Sequence, residues 1–259
     1  MLTCGIDIGA RSIDIVLLDG TRIVASSVTE TGVTPRENAR SAFEALLRDA
    51  GVRSSDIART LATGYGRNYF EGMDRTSSEI LCHAAGVAAL FPRVRTVIDI
   101  GAQDSKLIQT GEGGRVLDFV MNDRCAAGTG KFIEIVAAML HLSLEEIGPL
   151  ALRTAETCEI SSMCAVFAES EIVGLLHKGM AREVILRGVF RSIARRTLGM
   201  AGKFSLEEDV VFTGGVALNP GIVQALKQES AIREILIPPC PQITGALGAA
   251  ILARRDMVE

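Results

Sequence analysis

The chain has 259 residues, 48% of them hydrophobic, and a formal net charge of −4. That is enough for a large core in one domain or two lobes, and the near-balanced charge offers no basic face to nucleic acid. No apolar run reaches the length of a membrane span, and six cysteines at irregular spacing argue against a disulfide framework and for the reducing cytoplasm.

The N-terminus goes straight into a strand-like segment, so no signal peptide is expected. Gly5 to Gly20 reads as a β-hairpin, two apolar runs around a glycine-containing turn. Asp7 ends the first strand. The turn after it (Gly9, Ala10, Arg11, Ser12) can offer amides to a phosphate, and the carboxylate can hold a metal through water. An aspartate before a glycine turn is also often just a turn residue. Arg36 to Ala50 reads as a helix with Ala39, Phe43, Leu46, Leu47 and Ala50 on one face. Leu61 to Arg67 follows a short strand and reads as a loop. Ser77 to Phe91 reads as an alanine-rich helix ended by Pro92, with Cys82 and His83 in its middle; His83 reads as a partnered core or surface histidine.

Val97 to Ile108 repeats the opening hairpin. Both copies contain Ile-Asp-Ile-Gly-Ala, followed by a polar turn (here with Gly101, Ala102, Gln103) and an apolar run. Two copies predict two related half-domains, whose Asp7 and Asp99 could face each other across a nucleotide and its magnesium.

Met121 to Phe132 then sets Cys125 beside a small-residue turn, Gly128, Thr129 and Gly130. A helix follows, carrying Phe132, Ile135, Val136, Met139 and Leu140 on one face. Helix starts favour anions and thiolates, and the small residues would let backbone amides come close to a ligand. A second cysteine, Cys164, precedes a helix expected over Ala165 to Lys178, with Ser161 and Ser162 as N-cap candidates. The plain alternative is that both cysteines are small buried hydrophobes.

A helical region follows from Ala181 to Lys203, in which Arg187, Arg191, Arg195 and Arg196 read as a solvated face. Val210 to Ile222 reads as a buried strand, a Gly214-Gly215 turn and a helix starting near Asn219. Paired glycines suit a flat ring such as adenine, although a tight strand–helix turn needs them too. Ile243 to Ala253 reads as a small-residue helix that packs closely.

Taken in order, these motifs resemble the superfamily of acetate kinase, sugar kinases, heat-shock chaperones and actin. Gly5–Asp14 and Val97–Lys106 match its two phosphate loops. Val210–Ile222 matches the adenosine motif, and Ile243–Ala253 a connecting helix. The resemblance implies an α/β, actin-like ATPase fold: two duplicated ribonuclease-H-like lobes around a nucleotide cleft. The lobes are expected over 1–95, with 243–259 packing back on the first, and over 96–242.

The two cysteine segments narrow the resemblance. They are similar to those of the activators (component A) of (R)-2-hydroxyacyl-CoA dehydratases and of the related ATPase subunits of benzoyl-CoA reductase. That family implies iron ligation by Cys125 and Cys164. A [4Fe–4S] cluster needs four thiolates, so the resemblance implies one cluster shared by a homodimer. It further implies ATP/ADP, with Mg²⁺ and water positioned by Asp7, Asp99 and Gln103. Reduced ferredoxin or flavodoxin would be the donor, and a dehydratase component the acceptor. On this reading ATP closes the lobes, the cysteine helices move, the dimer passes one electron, and hydrolysis reopens it.

Departures are visible. Serine or threonine is frequent in the family where Ala10 and Arg11 stand, lysine where Asp14 stands, and glycine where Ala102 stands. Cys4, Cys82, Cys158 and Cys240 match no cluster role. Rival readings are a benzoyl-CoA-type reductase subunit, a sugar kinase, and a nucleotide-dependent binding module with structural zinc.

Overall fold

The computed structural model describes residues 1–161, 164–202 and 204–255. In chain order the elements are β1 (Leu2–Ile8), β2 (Ser12–Asp19), β3 (Arg22–Glu30), α1 (Pro35–Ala50), β4 (Ile57–Thr63), β5 (Arg75–Thr76) and α2 (Glu79–Leu90). Next come β6 (Thr96–Ile100), β7 (Ser105–Thr110), β8 (Val116–Asn122), α3 (Gly130–Met139), α4 (Leu144–Ala151), α5 (Ala165–His177) and α6 (Arg182–Gly199). Last are β9 (Val210–Thr213), α7 (Pro220–Glu229), β10 (Ile235–Leu236) and α8 (Thr244–Arg255).

The strands form two sheets, ordered β3-β2-β1-β4-β5 and β10-β9-β6-β7-β8. Read from opposite ends, these are the same order. Each is built on a hairpin, with the strand that enters the hairpin at its centre. This is the duplicated α/β arrangement of the actin-like ATPase fold. Two compact units divide the chain: one of residues 1–97, 108–117 and 238–259, the other of 98–107 and 118–237.

Strand periodicity decides which side chains meet which helix in the first unit. Cys4, Ile6 and Ile8 of β1 and Ile13, Ile15 and Leu17 of β2 pack with Ala39, Ala42, Leu46 and Leu47 of α1. Val16 and Leu18, on the other face, pack with Ile243 and with Ala246, Leu247, Ala250 and Ile251 of α8. Asp7 and Asp14 fall on the α8 face and are paired in register across the hairpin. β1 needs no alternation of polarity because it is covered on both sides, and Thr3 to Ile8 are all buried. The small-residue helix packs as its composition predicts. A methyl group on Gly248 would strike the Cys82 carbonyl, so α8 lies backbone to backbone on α2.

In the second unit Ile98, Ile100 and Leu107 of the repeated hairpin join Phe132, Ile133 and Val136 of α3, Ile185 and Val189 of α6 and Ile222 of α7 in one core. Ile133, outside the predicted stripe, is buried; Ile135, inside it, is only half-buried.

Two local expectations change. The residue capping α5 is Cys164, not Ser161, whose amide and hydroxyl bind Glu171 instead; Ser162, the other candidate, lies outside the described residues. The arginines of α6 are not merely solvated. Arg191 Nε and Arg195 Nε grip the two oxygens of Glu229 at 2.5 and 2.6 Å, and Arg187 reaches Gln228, tying α6 to the end of α7. Burial works against ionisation of Glu229, but hydrogen bonds from Arg195 and Arg191 outweigh it and hold the carboxyl below its usual range.

Candidate functional site

Each hairpin places its aspartate at the end of a central strand, beside a tight turn. The Gly9 amide donates to the Ser12 carbonyl at 2.9 Å, and the Gly101 amide to that of Asp104 at 3.0 Å. Both turns therefore keep one amide for themselves. Both aspartates are buried, Asp7 at 7% exposure and Asp99 at 2%.

A glycine just past the end of the neighbouring strand makes room for each. Gly64 follows β4 with φ +90°, and Gly214 follows β9 with φ +83°. A Cβ on Gly64 would strike Asp7 Oδ1 and lie 2.5 Å from the Ile8 carbonyl. A Cβ on Gly214 would lie 2.7 Å from Asp99 Oδ1 and 2.5 Å from the Ile100 carbonyl. These positions require glycine twice over, for the backbone angle and for the carboxylate.

The second oxygens have different surroundings. Asp99 Oδ2 accepts from Lys106 Nζ at 3.0 Å, and the same ammonium lies 2.8 Å from Asp104 Oδ1. Lys106 is 1% exposed. Asp7 Oδ2 faces Gly245, whose missing Cβ would strike it, and lies 4.0 Å from His83 Nε2. At the position equivalent to Lys106 stands Asp14, which accepts from Ser12 Oγ at 3.0 Å. The sequence pattern gives Lys106 no role, and it expects His83 as a partnered histidine, which it is. The repeat could have found Lys106, because it falls where Asp14 falls in the first copy. Nothing in the linear pattern ties His83 to Asp7.

Around Cys125 the backbone is clamped by one side chain. The Cys125 amide donates to Asn122 Oδ1 at 3.0 Å, and Asn122 Nδ2 donates to the Cys125 carbonyl at 2.9 Å. Three amides of this stretch are used within the chain. Thr129 N binds the Ala126 carbonyl, Gly130 N that of Gly101 at 2.9 Å and Lys131 N that of Ala102 at 2.8 Å. The start of α3 thus holds the second phosphate-type loop.

Asn219, expected near the nucleotide, caps α7 through Oδ1, accepting from the amides of Gly221 and Ile222. Arg11 and Gln103 are exposed at the tips of their turns. A cavity of about 260 Å³ borders α6 and α7, with Arg187, Phe190, Arg191 and Glu229 in its wall; none of the predicted site residues lines it.

None of the six cysteines is paired in a disulfide. Burial pushes the Cys4 thiol far up, and burial above all, with the Asp7 charge adding to it, pushes Cys82 up to about 12. Both behave as small core hydrophobes. Cys158 is half-buried, and burial raises its thiol too. Cys125 is half-buried, and Cys164 is exposed at the start of α5 beside exposed Val166 and Phe167. Among the described residues, no three His, Cys, Asp or Glu side chains gather as a metal site. Two accessible thiols are the right donors for iron, but they supply half of the four a cubane cluster takes.

The sequence profile of the BadF/BadG/BcrA/BcrD ATPase family matches residues 4–253. The activator of lactoyl-CoA dehydratase from Anaerotignum propionicum is 45% identical over 98% of this chain and 97% of its own. The crystal structure of the Acidaminococcus fermentans (R)-2-hydroxyglutaryl-CoA dehydratase component A superposes with a TM-score of 0.95 at 41% identity, covering 100% of both chains. The activator of 2-hydroxyisocaproyl-CoA dehydratase from Clostridium difficile, solved with bound ADPNP, gives 0.92 at 40% identity over 99% of this chain and 95% of that one.

Proposed function

The chain belongs to the BadF/BadG/BcrA/BcrD ATPase family, and from that premise we propose that it is the ATP-dependent one-electron donor that activates an (R)-2-hydroxyacyl-CoA dehydratase. In this reading it works as a cytoplasmic homodimer. Cys125 and Cys164 of each copy would hold one shared [4Fe–4S] cluster, which supplies a one-electron carrier of tunable potential. Reduced ferredoxin or flavodoxin would be the electron donor.

The observation that carries the reading is the link between the Cys125 turn and the loop after Asp99. Gly130 and Lys131 follow Cys125 by a few residues, and their amides hold the carbonyls of Gly101 and Ala102. A phosphate or Mg²⁺ that shifts that loop would pull on the helix start that follows the cysteine turn. Asn122 keeps the turn rigid enough to transmit the pull. The exposed Cys164 beside exposed Val166 and Phe167, and the exposed Leu117, Phe119 and Met121 on edge strand β8, favour a covering partner.

Nucleotide chemistry falls to the two aspartates. Asp7 and Asp99 would position Mg²⁺ and the attacking water, with Gln103 orienting that water; phosphoryl transfer asks for little beyond position and charge. The loop residues Gly9, Ala10, Arg11 and Ser12 would face one end of the phosphate chain and Gly101 and Ala102 the other. Gly214, Gly215 and Asn219 would flank the adenosine. Gly128, Thr129 and Gly130 would serve through the loop they hold.

The test is iron and acid-labile sulfide on anaerobically purified protein. About four of each per dimer are expected, and Cys125→Ser should lose them. A colourless protein under strict anaerobiosis overturns the proposal.

A further inference from the structure

We propose that His83 is a positioning residue for Asp7, oriented by Thr244, so that a relay from the start of α8 fixes the carboxylate used for ATP turnover. The inference rests on the reading of Asp7 given above.

Three observations carry it. First, His83 is 5% exposed in the middle of α2, yet it is polar at both ring nitrogens and turned toward the hairpin rather than to solvent. Second, its orientation is fixed from behind. Thr244 Oγ donates to the Pro241 carbonyl at 3.1 Å and lies 3.1 Å from His83 Nδ1. A hydroxyl has one proton. With that proton on Pro241, the oxygen accepts from Nδ1–H, which turns the Nε2 edge of the ring toward Asp7; that edge attracts the carboxylate when Nε2 also carries a proton. Third, the space between ring and carboxylate is kept open by the residue next to Thr244. A Cβ on Gly245 would strike Asp7 Oδ2 and lie 3.3 Å from His83 Nε2. One short segment, Thr244-Gly245, thus aims the imidazole and clears its path.

The contact is 4.0 Å, an ion-pair distance too long for a hydrogen bond. At that separation the ring sets the side of Asp7 on which Oδ2 rests without capturing the oxygen. Oδ1, against Gly64, is placed in consequence. The other ionisable groups here are Asp14, opposite Asp7 on β2, and Cys82, the neighbour of His83. Neither can donate to Asp7 as a cation. In the second hairpin Lys106 donates to the aspartate from the adjacent strand; in the first the group facing the aspartate comes from a helix.

The experiment is steady-state Mg-ATP hydrolysis by the full chain, with kcat and KM determined separately. His83→Phe keeps the bulk and removes the polarity; it should lower kcat by about tenfold or more with KM within about threefold of wild type, as misplacing a reacting group does. His83→Gln, which keeps a donor of similar reach, should recover most of the loss. Thr244→Val should reproduce the His83→Phe defect, while Thr244→Ser should not. If His83→Phe does not fold, the Thr244 pair decides alone. Wild-type kcat in His83→Phe or Thr244→Val, with Asp7→Asn inactive, overturns the relay and leaves the role of Asp7 intact. Full turnover in Asp7→Asn overturns both.

Discussion

The two hairpins share their backbone and differ in their charge. Each ends a buried central strand with an aspartate, turns through Gly-Ala, and is faced by a positive-φ glycine that follows a threonine, Thr63-Gly64 or Thr213-Gly214. In the second, the cross-strand position holds Lys106, and the buried carboxylate is neutralised by a buried cation. In the first, the same position holds Asp14, and two buried carboxylates stand opposite each other. Duplication preserved the shape that makes a phosphate-type loop. The electrostatics diverged, so the second aspartate is locked and the first is left for a distant helix to orient.

The largest effect should come from breaking the locked half. Lys106→Met keeps most of the volume and strands Asp99 at 2% exposure. Removing one partner of a buried pair costs about 3–5 kcal/mol. Urea unfolding at neutral pH should show a loss of that order, and part of it should return in Lys106→Met/Asp99→Asn, which leaves no buried charge without its cation. A loss below about 1 kcal/mol would mean that Asp99 is solvated or otherwise compensated.

Next in size is the test of shared shape. Gly64→Ala and Gly214→Ala each force a left-handed backbone on a side chain, at about 1–2 kcal/mol, and each adds a collision with an aspartate oxygen. Both should lose about 2 kcal/mol or more, and to similar extents. Both should also lower ATP turnover, because the methyl displaces the carboxylate. A large effect at one and none at the other would show that the likeness of the halves stops at the backbone trace.

Much of this architecture is legible in the sequence. The repeated Ile-Asp-Ile-Gly-Ala marked both hairpins because the turn needs those small residues and the strand needs its apolar neighbours. The helices of 35–50, 79–90 and 244–255 followed from apolar spacing, Pro92 and runs of alanine and glycine. What could not be read was set by tertiary contact. The amides before α3 looked free for a ligand because nothing local shows that Gly101 and Ala102 would occupy them. The arginines of α6 looked solvated because Glu229 is far away in sequence. Cys164 stands at the cap of α5 while Ser161 binds Glu171, ten residues further on, a contact the local pattern does not show.

The smallest effect concerns the position that separates the halves most plainly. Like charges placed directly opposite on neighbouring strands destabilise a sheet, by roughly 0.2–1 kcal/mol. Asp14→Asn should therefore stabilise the protein by up to about that amount, read as a higher urea midpoint with unchanged slope. Ser12 Oγ can still donate to the amide oxygen, so the turn has no reason to change. The asymmetry predicts the opposite sign in the other half, where the matching substitution removes an attraction instead of a repulsion. A destabilised Asp14→Asn would place the negative charge of Asp14 among the interactions that hold the hairpin. The two halves would then be alike in depending on a charge at that position, and opposite only in its sign.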